Sequence, residues 1–493
     1  MPNKEIDTKL LAYIKSQQSC VAHNSDIISI LEGDLLSFIE RHLASEFSQQ
    51  AFESVKTRIS PINFLKRIID KLSKIYQQPV QRIVINGTES DQELIDAYIE
   101  SMEMDSSMNV GNELFNTFKN NLNQIYYNEA GFPKLRVIQN DSFYIYSTDL
   151  VEPTNPTHVI LPYGQKEVFQ KVGKEEVSYN VDLFKVYTKD EAYLLDVTGE
   201  TSPINSENPD MVNPFGVLPF MYANRSRTRL VPIIDSDTKR LSILLPVLIS
   251  DLNYAVKYQV ASIIWTIDVD AAALQMNPNS IWALKSDPTS DKRPEVGQIK
   301  PQVDIEQVIQ LIITQLSMWL NSKNIRPGSV SDMSATDAAS GISKLVDEMD
   351  TSDERKKQVE VYRQVEKNFW KDLINNIHPT MLAQGLLADE FRRPFTKGAY
   401  VDVNFPEQLP MIRRGQAVTD LKTEHEAGFI SRETAMKKLN PEWSEVRLQE
   451  EISMIEEGRT IVQEPEDSEK LNEDQEEESS EEENLENGSA TTN

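Results

Sequence analysis

Residues 304–340 read DIEQVIQLIITQLSMWLNSKNIRPGSVSDMSATDAAS. Asp304 is a residue type that caps helices, and Ile305, Val308, Ile309, Ile312, Ile313, Leu316, Trp319 and Leu320 then recur at helical spacing. Glu306, Gln307, Gln310, Thr314, Gln315 and Ser317 form the opposite face, which is polar but weakly charged. The pattern predicts a helix over 304–323 with one buried stripe. From Asn324 through Pro327 and Gly328 to Ser340 the residues are small and polar. Such a run lacks the apolar surface needed to hold itself rigid, so a mobile loop is expected. Lys323 and Arg326 are the only bases between Asp304 and Ser340, and both sit where the helix opens into the loop.

Upstream, residues 237–260 also read as a helix, although Pro246 lies too deep for a first-turn proline and should kink the helix or move its start. Between the two helices, Ser262 to Val269, Ser280 to Leu284 and Val296 to Ile299 are strand-like, punctuated by Pro278, Pro288, Pro294 and Gly297. The order is helix, small β excursion, helix. Further upstream, Lys134 to Val197 carries short β-branched and aromatic runs broken by polar turns, which predicts a small antiparallel sheet. Amphipathic helices are expected to fill the first hundred residues. The clearest opens at Ser60-Pro61, carries Phe64, Leu65, Ile68, Leu72, Ile75 and Tyr76 on one face, and stops before Pro79.

Downstream, Ile342 to His378 contains neither glycine nor proline, and a continuous helix there would span roughly 55 Å at about 1.5 Å per residue. Thr351 to Gln358 is polar all round, so the middle of that helix is expected to be exposed or bent. A strand candidate, Tyr400 to Phe405, precedes terminal helices over Pro410 to Ala427, a short one opened by Ser431 and Glu433, and Trp443 to Glu457. The last 30 residues, Glu464 to Asn493, hold thirteen acids and one base, the signature of a disordered, solubilising tail.

The 493 residues carry 50 Lys+Arg against 78 Asp+Glu, a formal charge of −28, which disfavours a tight nucleic-acid binder. The single cysteine, Cys20, excludes an internal disulfide or a thiolate metal cluster and fits a reducing compartment. No run approaches the ~18 apolar residues of a membrane span. The N-terminus has no signal-peptide pattern, so a soluble protein is expected. Chemistry is equally sparse. His23, His42, His158, His378 and His425 stand singly, without metal-ligand spacing. Gly173-Lys174 is followed by Glu175-Glu176, not by the Ser/Thr of a phosphate loop. Asp347-Glu348-Met349-Asp350 on a helix would point in different directions, and a solvated face is the better reading. No catalytic, cofactor or metal site is expected, and the protein is not read as an enzyme.

The order of these parts, with its local sequence, resembles the portal (connector) proteins of tailed double-stranded DNA bacteriophages, over most of the chain before the acidic tail. LSILLPVLISDLNYAVKYQVASIIW looks like a first stem helix, PNSIWALKSDPTSDKRPEVGQIKP like clip sequence, and DIEQVIQLIITQLSMWLNSKNIRPGS like a second stem helix entering a tunnel loop. SGISKLVDEMDTSDERKKQVEVYRQVEKNFWKDL is similar to the long wing helix, and ISRETAMKKLNPEWSEVRLQEEI to the helices of the crown.

The resemblance implies an α+β, mainly helical portal fold. Residues 1–236 would form a wing of helical N-terminus plus small antiparallel sheet, 237–261 the first stem helix, 262–303 the clip and 304–323 the second stem helix. Residues 324–340 would form the tunnel loop, 341–406 the long wing helix and return strand, 407–463 crown helices and 464–493 the acidic tail.

The resemblance further implies a dodecameric ring at one capsid vertex, the head–tail junction of the virion, made in the host cytoplasm. Its channel would pass DNA during packaging and ejection. The partners it implies are the major capsid and scaffold proteins, the terminase motor, then head-completion adaptor or neck proteins, and translocating double-stranded DNA through weak non-specific contacts. In that frame Lys323 and Arg326 become candidate DNA-channel bases, and Asn324, Pro327, Gly328 and Ser340 mark the tunnel loop. Lys285, Lys292, Arg293 and Lys300 become candidate partner-binding bases of the clip. Ile305, Val308, Ile309, Ile312, Ile313, Leu316 and Trp319 become stem residues packing against neighbouring subunits. The alternative is a ring-forming head–tail adaptor or scaffold protein without a DNA channel, and a hydrolase built from distant carboxylates is the rival from another class.

Overall fold

The computed structural model describes residues 4–149, 151–172, 175–206, 208–261, 263–267, 295–299, 304–323, 325, 351–406, 414–439, 448–449 and 451–455. The chain divides into two compact units, Met1–Glu407 and Gln408–Asn493.

In the first unit, helices α1 (Lys4–Glu32), α2 (Leu35–Glu46), α3 (Gln49–Lys56) and α4 (Phe64–Leu72) lead into strand β1 (Gln81–Ile85), then α5 (Glu89–Ser101) and α6 (Met104–Phe118). Strands β2 (Asn120–Tyr127), β3 (Pro133–Ile138), β4 (Tyr144–Tyr146), β5 (His158–Val172), β6 (Glu175–Tyr187), β7 (Ala192–Asp196), β8 (Thr201–Pro203) and β9 (Phe220–Asn224) follow. The long helix α7 (Ser236–Ala261) runs to β10 (Ile263–Ile267), and β11 (Glu295–Ile299) returns to α8 (Ile305–Ser322). Last come α9 (Ser352–Asp372), a π-helical turn at Leu373–Ile377, α10 (His378–Ala383) and β12 (Tyr400–Asn404). The strands pair antiparallel in the orders β3-β2-β9 and β4-β5-β6-β7-β8, with β1-β12 and β10-β11 as separate pairs.

Several expectations are corrected. The N-terminal hundred residues are not all helix: β1 lies among them, and it is the partner of the strand expected near Tyr400, with Val84 opposite Val401. Helix α4 is capped by Asn63, whose side chain accepts the Lys66 N–H at 3.0 Å, while the Ser60 N–H is taken by Ser250 Oγ of α7. Helix α7 continues through Pro246. The missing N–H leaves one intrahelical bond unmade, but Leu245, Pro246 and Val247 are buried, so packing holds the turn that propensity alone would break.

The polar stretch Thr351 to Gln358 is not an exposed middle, because Glu354 and Gln358 are buried. Glu354 pairs with Arg225 at 2.5 Å, and Gln358 Oε1 accepts from Asn112 and Asn116 of α6 at 3.0 and 3.3 Å. Burial of a carboxylate is tolerable only with such compensation.

Two large cores result. One joins the four N-terminal helices to α7 and α8 through Ile27, Phe38, Phe64, Leu65, Leu245 and Leu316. The other gathers α5, α6, α9, the π turn and the β1-β12 pair around Tyr98, Phe115, Tyr362 and Trp370. Across the second core, Glu366 of α9 is fully buried and takes Arg82 Nε at 2.7 Å, Arg82 Nη2 at 3.1 Å and the Tyr76 hydroxyl at 2.7 Å. Smaller cores seat α1 on the five-stranded sheet through Leu10 and Ile14, and join the two larger sheets through Leu122, Ile138 and Val159.

In the second unit, α11 (Arg414–Glu426) turns at Gly428, φ +77°, into α12 (Arg432–Leu439). The Phe429 N–H returns to Glu424 O, and Lys438 pairs with Glu424 at 3.7 Å.

Candidate functional site

Helix α8 starts where Asp304 Oδ1 accepts the Gln307 N–H at 3.1 Å, and it packs against α7 as the second arm of a helix hairpin. Its apolar stripe is spent inside the subunit. Ile309, Ile312, Ile313, Leu316, Trp319 and Leu320 are all buried in the core shared with α2, α4 and α7, and Ile305 and Val308 lie partly buried at its margin. The stripe expected to pack against neighbours is therefore covered by the chain's own N-terminal helices. The reason is that those helices present matching apolar faces, Phe64, Leu65, Ile68 and Leu72 on α4 among them.

What α8 leaves outside is a different ridge: Gln307, Gln310, Leu311, Thr314, Met318 and Asn321 are exposed, Leu311 at 47% and Met318 at 66%. No charged residue occurs from Gln307 to Ser322. The sequence holds the signal for this ridge, since Leu311 and Met318 are the two apolar residues off the main stripe and stand one heptad apart.

At the foot of the hairpin, Lys323 caps α8 and its ammonium donates to Asp235 and, at 3.2 Å, to Thr238 Oγ1. Asp237 lies 3.6 Å from the same ammonium, and Lys119, which ends α6, meets Asp235 at 2.5 Å. Burial would raise the Asp235 carboxyl, but the hydrogen bonds from Lys119 and Lys323 outweigh it and hold the group below its usual range. Two lysines and two aspartates thus tie α6, α7 and α8 together. Ile325, fully buried, donates its N–H to Leu320 O and sets the direction in which the chain leaves. Arg326, Asn324, Pro327, Gly328 and Ser340, and the clip bases Lys285, Lys292, Arg293 and Lys300, lie outside the described residues.

A shallow groove beside this foot is lined by Ser236, Asp237, Arg240, Leu241, Leu244 and Gln315. Among the described residues no three His, Cys, Asp or Glu side chains converge as metal ligands, and no helix is long and apolar enough to cross a membrane. His378 is held by the Tyr98 hydroxyl and the Arg393 carbonyl, each at 2.8 Å, and burial lowers its pKa; it serves packing. The arrangement is a helix hairpin whose base is pinned by ion pairs.

No family model matches the chain, and no curated protein does. Among solved structures, it is similar to a chain in the neck of an empty gene transfer agent particle computed with C6 symmetry, at 12% identity, covering 78% of this chain and 92% of that one, with a TM-score of 0.31. It is also similar to a chain in the virion of a native gene transfer agent particle, at 11% identity over 77% of this chain and 90% of that one, with a TM-score of 0.30. A third similarity is to a chain in the neck of a native particle computed with C12 symmetry, at 10% identity over 77% and 89%, with a TM-score of 0.27.

Proposed function

We propose that the chain is the subunit of a portal ring, the non-enzymatic gateway at one capsid vertex through which double-stranded DNA is packaged and later released. The observation that carries this reading is helix α8: its apolar stripe is satisfied within the subunit, while its exposed ridge is free of charge from Gln307 to Ser322, about four turns of helix. A wall facing a moving polyanion must not neutralise phosphates, because each neutralised phosphate steepens the salt-dependent affinity by about 0.9 in slope and holds the duplex in place. An uncharged ridge beside a net-acidic body lets it slide. The β excursion between α7 and α8, with its four bases, is then the face offered to the packaging motor and to the adaptor that replaces it. Lys323 and Arg326 stand at the entrance to the tunnel segment.

The purified full-length protein viewed end-on by negative-stain electron microscopy tests the reading. Closed rings with an open centre wide enough for a duplex are expected. A monomer at high concentration, together with heads that fill normally without the protein, would end it.

A further inference from the structure

Charge is distributed very unevenly over the first unit. From Lys56 to Lys74 there are six bases and one acid, in a chain whose formal charge is −28. From Glu89 to Asp105 there are seven acids and no base. Helix α4 buries Phe64, Leu65, Ile68, Ile69 and Leu72 and turns Lys66 and Arg67 outward, with Lys74 half-buried just beyond its end. Helix α5 buries Leu94, Ile95 and Tyr98 and turns out Glu89, Glu93, Asp96 and Glu100, with Glu103 following. The four acids on the helix are spaced 4, 3 and 4 residues apart, the spacing of a single helical face.

The two faces do not satisfy each other. Helix α6 lies between their cores, giving Leu114 and Phe118 to the cluster around α4 and Met104, Met108 and Phe115 to the cluster around α5. Locally, Lys66 has Asp70 at 3.9 Å and Glu113 of α6 nearby, while Glu93 is matched by Arg393 at 3.1 Å. Asp91 and Asp105 are committed to the α5 cap and to Arg82. Asp96, Glu100 and Glu103 have no ion-pair partner among the described residues, and Arg67 and Lys74 have none either.

We infer that the basic face of α4 on one copy docks on the acidic face of α5 on the next copy, forming the head-to-tail contact that closes the ring. Copies with this much negative charge repel one another at a distance. The approach of two such copies is favourable only where a local positive face meets a local negative one, which also fixes orientation. Two different faces of opposite sign on one chain make a heterologous contact, the kind that generates rings. The inference rests on the portal-ring reading.

The test is a charge swap in the full-length chain. One variant carries Lys66→Glu, Arg67→Glu and Lys74→Glu; the other carries Asp96→Lys, Glu100→Lys and Glu103→Lys. Circular dichroism and thermal unfolding verify that each folds. Each alone should assemble on the order of tenfold more slowly than the wild type, as read by light scattering and sedimentation. An equimolar mixture should recover, because each variant then offers its neighbours the opposite sign at both contacts. Wild-type assembly should itself weaken with added salt.

If both folded variants assemble alone like the wild type, or if the mixture recovers nothing, the pairing is wrong and the ring reading stands. A basic-face variant that assembles normally but no longer retains DNA or an acidic partner protein also overturns the pairing. Wild-type protein that never associates overturns the ring reading itself.

Discussion

Replacing Leu316 by alanine separates a stripe that belongs to the subunit from one that belongs to its contacts. Leu316 is fully buried among Phe64, Ile68, Leu245 and their neighbours in the helical core. Truncation removes three methylene-sized groups, about 0.8 kcal/mol each by transfer, and leaves a cavity whose unmade contacts bring the cost to about 3–4 kcal/mol. Met318, 66% exposed on the opposite side of the same helix, should cost about 0.5 kcal/mol or less on folding when changed to alanine. Urea unfolding measured at several protein concentrations distinguishes the two kinds of position. A core position lowers stability by the same amount at every concentration, whereas an interface position acts through mass action and its effect grows as concentration changes the assembled fraction. Leu316→Ala is therefore expected to give a large, concentration-independent loss, and Met318→Ala little change in folding. A Leu316→Ala subunit that unfolds like the wild type yet fails to associate would refute the assignment of the α8 stripe to the subunit core.

Three further outcomes are expected. Glu366→Ala should cost about 3 kcal/mol, the low end for a broken buried pair because Asp105 still faces Arg82, and adding Arg82→Met should recover part of that loss in a double-mutant unfolding cycle. Asp91 is buried, which would raise its carboxyl, but hydrogen bonds from Thr88 and Thr396 hold it down at about 2. A depressed folded-state pKa contributes stability above the unfolded value and loses it as pH falls, so the stability gap between wild type and Asp91→Asn, about 2 kcal/mol at neutral pH, should close between about pH 4 and pH 2. Lys323→Gln should leave the salt dependence of DNA retention in filled heads unchanged, because Asp235 and Asp237 already compensate that charge; a salt slope lower by about one would show a phosphate contact instead.

Helix α8 was legible because a long apolar stripe without a charged residue leaves few alternatives, and Asp304 marks its start in sequence and structure alike. The elements that sequence hides are those whose polar residues find partners far along the chain. Strand β2, NNLNQIYY, has no apolar alternation, yet Asn120 to Gln124 are buried, with Asn121 accepting the Tyr362 hydroxyl and the Asn120 carbonyl taking Asn140 Nδ2. Glu354 and Gln358 belong to the same class, since Arg225, Asn112 and Asn116 are invisible to local spacing. Strand β1 was masked by the helices on both sides of it, and only the pairing with Tyr400–Asn404 explains it. For the site, periodicity found the apolar stripe but not its destination, because a stripe has the same spacing whether its partner is another helix of the chain or a second molecule. The ion cluster at Asp235 was illegible for a related reason: Lys119, Asp235 and Lys323 are brought together by three separate helix ends.

The five-residue antiparallel pairing of Ile263–Ile267 with Glu295–Ile299 fixes the two ends of the excursion between α7 and α8 side by side. Once a segment's ends are joined this way, its length costs little to the rest of the molecule, since closure entropy grows only with the logarithm of the residues enclosed. Residues 268–294 can therefore be lengthened, shortened or exchanged while α7 and α8 keep their packing. The arrangement behaves as an interchangeable cassette, a joint that decouples the insert's length from the stability of the body that carries it.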